Sequence, residues 1–139
     1  MAAPVYLADT SVYVLQNTYP EVRRRFETLL TEGRLAACQM TALEILNNAP
    51  DPKGYERLWS AIHSQRWIDV DDAAMNRATS VHRRLAKKSQ HRHFRLPDLI
   101  IAATAELAGA TVLHYDADYD RIAAVTGQPT EWVVPRGSL

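Results

Sequence analysis

Short apolar runs alternate along this chain with stretches in which apolar residues recur every three to four positions, the periods expected of buried strands and of helices. Pro4-Val5-Tyr6-Leu7-Ala8 is the first run and stops at Asp9-Thr10-Ser11, polar residues that suit a turn or a helix cap. Pro20 opens an amphipathic helix that turns Val22, Phe26, Leu29 and Leu30 inward and Arg23, Arg24, Arg25 and Glu27 outward, and Gly33 closes it. Residues 35–38 read as a second strand, Thr41 as the cap of a helix over residues 42–48, and residues 48–54 as a loop by their prolines and glycine. Tyr55, Leu58, Trp59 and Ile62 keep the i, i+3, i+4, i+7 spacing of one helical stripe, which is read as facing the core, with a protein-partner face as the alternative. Residues 67–70 make a short strand or extended connection. Asp71 and Asp72 then open a helix that carries Ala74, Ala78, Val81 and Leu85 inward and ends in the basic run HRRLAKKSQHRHFR.

The stretch LPDLIIAATAELAGATVLHYDADYDR, residues 96–121, organises the rest. Pro97 suits a first helical position and Gly109 the residue just past the end, so a helix of about three turns lies between them. Leu99, Ile100, Ile101, Ala102, Ala103, Ala105, Leu107 and Ala108 make it apolar on nearly every face, which predicts burial. Asp98 is then a carboxylate in the first turn of a buried helix, where free N–H groups and the helix dipole favour its ionised form. Residues 111–114 read as a strand with Asp116 just beyond its end. A helix over residues 119–126 follows, ended by Gly127 and Pro129, and a last strand over residues 131–134. Strands that alternate with helices predict an α/β fold with a mainly parallel sheet covered on both sides.

With 139 residues, 47% of them apolar, the chain is expected to form a single domain over residues 1–139. VPRGS near the end resembles an engineered thrombin-cleavage sequence, so residues 135–139 are read as a flexible or an engineered tail. Sixteen basic residues balance sixteen acidic ones, which leaves electrostatic function to local clustering. The lone Cys38 excludes an intramolecular disulfide and a CxxC site, and is expected to be buried. No cationic leader precedes Asp9 and no apolar run approaches a membrane span, so a soluble cytoplasmic protein is expected, without membrane contact.

Asp9, Glu44, Asp98 and Asp116 share an address. If the strands are parallel, all four fall at the carboxyl edge of the sheet, where ligands collect in open α/β folds. Carboxylates about 5 Å apart repel by roughly 3 kcal/mol per pair at an effective dielectric near 20, so protonation, basic neighbours or a cation must relieve them. Oxygen-only ligands suit Mg²⁺ or Mn²⁺, and such an ion could activate water for phosphodiester hydrolysis. Taken singly, each acid has a plainer role as a cap, a turn residue or an exposed helical charge.

The segments LADTSVY, TALEIL, LPDLIIAATAELAGATVL and HYDADYDRIA, with Asp9, Glu44, Asp98 and Asp116 in turn, resemble the four acidic motifs of the PIN domain, and most closely those of VapC-type ribonuclease toxins. The resemblance implies a three-layer α/β/α domain with a central, mostly parallel sheet and a Mg²⁺- or Mn²⁺-dependent endoribonuclease that cuts cellular RNA of the tRNA or rRNA class. It also implies a cognate VapB-type antitoxin and a homodimeric toxin. Asp9, Asp98 and Asp116 correspond to metal ligands and Glu44 to a direct or water-mediated one; Asp118 matches a further acid of many members, with helix capping as its other reading. Asp120 reads as a solvated first-turn charge. Where that family usually has Thr or Ser two residues before the fourth acid, this chain has His114, expected to be a buried or edge histidine.

Arg83, Arg84, Lys87, Lys88, Arg92 and Arg95 fall within fourteen residues that contain no acid, directly before Asp98. They are the candidate RNA-binding rim, since phosphate contacts supply most sequence-independent affinity; a solvated helix end is the alternative. Phe94 is expected in the core rather than stacked on a base. Two rival functions remain open at this point: a metal-independent ribonuclease that uses His91 and His93 as general base and acid, and a non-catalytic RNA- or protein-binding module of the same fold.

Overall fold

The computed structural model describes residues 3–139, so Met1 and Ala2 of the expected 1–139 span lie outside the described residues. Its described strands are β1 (Tyr6–Ala8), β2 (Leu35–Ala37), β3 (Arg66–Trp67), β4 (Thr111–His114) and β5 (Thr130–Trp132). They form one sheet in the order β3-β2-β1-β4-β5, with every described pair parallel. Alternate side chains leave each strand on opposite faces, and the core divides accordingly. Leu7, Ala36 and Val112 join one cluster, whereas Tyr6, Ala8, Leu35 and Leu113 join another. Helices α5 (Asp72–Ala86), α6 (Leu96–Ala108) and α7 (Ala117–Thr126) cover the first face; α1 (Thr10–Leu15) and α2 (Pro20–Thr31) cover the second. The helices α3 (Gln39–Leu46) and α4 (Pro52–His63) close the end near β2 and β3 around Ala37, Ala42, Leu46 and Ile62. This is the three-layer α/β/α architecture the alternation predicts. No helix among the described residues is long and apolar enough to cross a membrane.

The chain leaves central β1 for β2 and β3 on one side, then returns to β4 and β5 on the other. The switch point therefore lies between the carboxyl ends of β1 and β4, where an open parallel sheet leaves a crevice. Asp9 follows β1 directly and Asp116 follows β4 by two residues.

Several local expectations need correction. Residues 10–15, expected only as a turn or cap, form α1, because the Asp9 carboxylate accepts from the Ser11 amide and starts a helix there. Helix α3 begins at Gln39 rather than at residue 42: Cys38 is its cap, and Thr41, expected as the cap, sits inside, its hydroxyl accepting from the Cys38 amide at 3.1 Å. The loop expected to Gly54 gives way at Asp51, whose carboxylate accepts from the Gly54 amide and opens α4. Of that stripe Ile62 is buried and Leu58 packs half-buried on the same cluster, but Tyr55 and Trp59 are 38% and 45% exposed, so the stripe is the core face it was read to be only in part. In α6, Leu96 is the first residue and Pro97 the second, and Leu107 and Ala108 face outward. Leu30 is exposed on α2, and Arg25 is not merely solvated: its Nη1 donates to the carbonyls of Trp132 and Val133, tying α2 to the last strand. Residues 135–139 fold back, and the amides of Gly137 and Leu139 donate to the Tyr115 hydroxyl at 3.0 and 3.3 Å.

Candidate active site

Each of the three aspartates is placed by a helix start. The Asp9 amide donates to the Leu113 carbonyl at 2.8 Å, which locks the end of β1 against β4, and Asp9 then caps α1. Asp98 is the third residue of α6, inside the first turn, where the unpaired amides and the dipole favour an anion. Asp116 caps α7, its Oδ1 accepting from the Asp118 amide at 2.9 Å.

Tyr119, fully buried in the first turn of α7, joins two of these acids. Its hydroxyl lies 2.6 Å from Asp9 Oδ1 and 3.3 Å from Asp98 Oδ1. A phenol has one proton. When that proton goes to Asp9, the Asp98 contact is satisfied only if Asp98 is protonated and donates to the phenol oxygen. The electrostatics agree: burial first and the Asp9 carboxylate second push Asp98 up to about 7, with Asp116 and Glu44 adding to the rise and Arg95 opposing it. Burial, with the Asp9 and Asp98 carboxylates, likewise holds the Tyr119 hydroxyl well above its ordinary range. Sequence reasoning took Tyr119 for the start of a helix; its position three residues after Asp116, facing the core, was the available signal.

Glu44 lies in the second turn of α3 and is held by two partners. The Thr10 hydroxyl donates to its Oε1 at 2.7 Å, and Arg95 donates from Nη2 to its Oε2 at 2.6 Å. Thr10 was also missed, although it stands beside Asp9 in the sequence. The four acids thus converge on the crevice between β1 and β4, but Asp9 and Glu44 spend both carboxylate oxygens on internal partners and Asp98 and Asp116 one each. Among the described residues, no three His, Cys, Asp or Glu side chains stand close enough together to grip an ion. The donor set nevertheless fits a hard divalent cation. It is oxygen-only, and Asp98 carries an electrostatic burden that a cation would lift. Releasing Glu44 from Arg95 would bring in a further carboxylate.

His114 is completely buried, and burial lowers its pKa, against Asp120 and the site acids, which raise it. Its Nδ1 accepts from the Asp116 amide at 3.1 Å, so the neutral ring carries its proton on Nε2. It supplies an acceptor where a hydroxyl is usual. Asp118 turns away from the other acids toward Arg121 and His93, each 3.0 Å from its Oδ1. Asp120 accepts from the Trp132 indole at 3.1 Å.

Of the basic rim, Arg83, Arg84, Lys87, Lys88 and Arg92 are exposed, while Arg95 alone reaches the acids, through Glu44. Phe94 is buried as expected, and so is Cys38, whose thiol burial pushes up. The two histidines point to different neighbours. His91 packs edge-on against His82, and His93 sits beside Phe94 and accepts from Arg121 at 2.6 Å.

A parallel sheet ordered 3-2-1-4-5 with acids gathered at its switch point is the arrangement of a PIN domain. The family model of the PIN domain matches residues 6–125, and the chain belongs to that family. Within it, the chain is similar to VapC ribonucleases. It is 42% identical over 137 residues to Ribonuclease VapC18 of Mycobacterium tuberculosis, covering 97% of this chain and 99% of that protein. It is 44% identical over 134 residues to Ribonuclease VapC51 of the same organism, covering 96% of each. Among solved structures, it is similar in fold to DNA-bound VapBC from Salmonella typhimurium, with a TM-score of 0.74 and 21% identity over 95% of this chain and 100% of that one. VapBC2 from Rickettsia felis, bound to a DNA fragment from its promoter, matches with the same TM-score at 16% identity over 92% of this chain and 98% of that one.

Proposed function

We propose that residues 1–139 act as one domain, a metal-dependent endoribonuclease that serves as the toxin of a VapBC-type pair and cuts cellular RNA of the tRNA or rRNA class. The observation that carries this reading is the charge crowding at the switch point: Asp9 and Asp98 share one phenol, and Asp98 is pushed up to about 7. Asp9, Asp98 and Asp116 would hold Mg²⁺ or Mn²⁺, with Glu44 joining once Arg95 lets go. When bound, such an ion supplies an acidified water and neutralises a phosphate oxygen. The protein's own part is positional. Asp9 and Asp116 are fixed as helix caps, His114 fixes the Asp116 backbone, and the cations at residues 83–95 neutralise the approaching polyanion. Asp118 is assigned a supporting role through Arg121 rather than a ligand role. A VapB-type antitoxin, a homodimer and the cytoplasm complete the proposal, on the strength of the relatives named VapC and the VapBC complexes of like fold.

The test is cleavage of total cellular RNA by purified, antitoxin-free protein with Mn²⁺, with EDTA, and with Asp9→Asn or Asp98→Asn. Even outer-shell partners of metal ligands are worth about 10–100-fold, so loss of a ligand should cost at least roughly 100-fold while circular dichroism stays native. The cut ends should carry 5′-phosphates. Cleavage that persists in EDTA and leaves 2′,3′-cyclic phosphates would instead support chemistry by His91 and His93, and intact RNA after prolonged incubation would support a binding module.

A further inference from the structure

A concavity opens between the turn after α5 and the outer face of α7, linked to Asp116 through Asp118. It has a volume of about 510 Å³ and is lined by Lys88, Ser89, Gln90, His93, Phe94, Arg121, Ala124 and Val125. Its making is local. Ser89 adopts φ +55°, the left-handed conformation that ends α5, and the Gln90 amide closes the helix by donating to the Leu85 carbonyl at 2.9 Å. The chain then turns so that Gln90 and His93 stand over α7. The floor is Phe94, Ala124 and Val125, and the rim holds two cations, Lys88 and Arg121.

Arg121 is arranged to present charge. Its Nη1 donates to His93 Nε2 at 2.6 Å and to Asp118 Oδ1 at 3.0 Å, which pins the guanidinium; among the described residues its remaining N–H groups have no intramolecular acceptor. His93 Nε2 stands 3.0 Å from the same Asp118 Oδ1, so the three side chains form one cluster. The same Asp118 donates its amide to Asp116 Oδ1, so the pinned cation stands about one and a half turns of α7 from that acid.

We infer that this cavity takes one nucleotide of the RNA strand next to the cut, with the phosphate on Arg121 and Lys88 and the base against Ala124 and Val125, within reach of the Gln90 side-chain amide. The inference rests on the ribonuclease reading above and adds to it a substrate subsite and Arg121, which lies outside the basic run. An apolar floor under a few convergent donors is the general form of a small-ligand pocket, and the volume falls within the roughly 300–1,000 Å³ of such sites. A nucleotide matches both halves of this surface: an anion for the rim and a flat, edge-polar ring for the floor. The apolar side of the cavity and the Gln90 side chain therefore set which residue flanks the cut, while Lys88 and Arg121, like the rest of the basic run, hold the backbone without regard to sequence.

The full-length protein is tested in two measurements. In EDTA, fluorescence anisotropy follows binding of a labelled single-stranded RNA over a salt series. Arg121→Ala and Lys88→Ala should each weaken binding about fivefold and lower the salt slope by about 0.7, the value for one phosphate contact on a single strand. Ala124→Trp, which fills the cavity from an exposed position and removes no charge, should weaken binding as much with the slope unchanged. Arg24→Ala, an equal loss of charge on the far α2 surface, should do neither. With Mn²⁺, sequencing of the cut ends should show the preference at one flanking position broadened in Ala124→Trp and kept in Arg121→Ala. Wild-type affinity and cut sites in both variants would overturn the subsite while leaving the nuclease standing. Equal weakening by Arg24→Ala would also overturn it, as bulk charge alone. RNA left uncut by wild type, with the variant pattern in binding preserved, would remove the nuclease and keep the site.

Discussion

Asp98 concentrates the chemistry of the molecule at a single carboxyl. It is 3% exposed, and burial and the Asp9 charge raise it from 3.8 to about 7. Without a metal ion, the folded protein therefore keeps a proton that the unfolded chain has already released. Between those two values the folded state binds more protons, so stability falls as pH rises from about 4 to 7. In EDTA, thermal unfolding of wild type should show that decline, and Asp98→Asn should flatten it, with a gain at pH 8 on the order of 2–4 kcal/mol. A neighbouring residue tests position rather than charge. His114 Nδ1 accepts from the Asp116 amide inside the core. His114→Thr keeps an acceptor at that place and His114→Val does not, and a buried amide left unpaired costs about 1–3 kcal/mol. The valine variant should therefore melt lower than the threonine variant and cut RNA more slowly. Asp98 was legible from the sequence as a candidate by its place after Pro97, and His114 as a buried or edge histidine standing where a hydroxyl is usual. The Tyr119 bridge was not, because a tyrosine in an acidic helix start has many possible neighbours and only folding selects two aspartates 110 and 21 positions away.

Helix α6 was the element most readable in advance, and also the one where pattern alone overreached. Its apolar residues suggested burial on nearly every face, yet Leu107 and Ala108 are exposed while Ala105 in the same turn is buried. The two faces of the helix therefore differ in energetic weight. Ile101→Ala should lower stability by about 2–5 kcal/mol in chemical denaturation, whereas Leu107→Gln should stay within roughly 0.5 kcal/mol. The overlooked α1 and the late start assigned to α3 share a cause. A six-residue helix has too few turns to display a period, and a capping box built on a cysteine thiol has none of the usual signature residues. Helix α4 shows the converse. Its spacing was right, but spacing cannot say whether a stripe meets the core or solvent. Tyr55, Trp59, His63 and Trp67 instead stack on one another along the surface, with centroids 6.4, 4.2 and 4.6 Å apart.

Across the whole molecule, that exposed aromatic ladder and the acid crevice are both features of an α/β/α shell whose net charge is zero, so recognition rests on local patches. If the antitoxin of the proposed pair lays an apolar segment on α4, Trp59→Glu should weaken co-elution of the two proteins in gel filtration and leave RNA cleavage by the isolated chain unchanged. Unaltered co-elution would place the antitoxin on another face.

The linear order of residues was enough for the alternation of strands and helices, the parallel sheet this requires, and the four acids at its carboxyl edge, because these follow from hydrophobic period and from acids that end strands or begin helices. Tertiary structure alone decided which oxygens meet: Tyr119 between Asp9 and Asp98, Arg95 on Glu44, and Arg121 over a cavity the sequence did not announce. Period and capping are written in neighbouring residues. The distance between two charges is written only in how the layers pack, and at a few ångströms in a low-dielectric crevice that distance sets the chemistry.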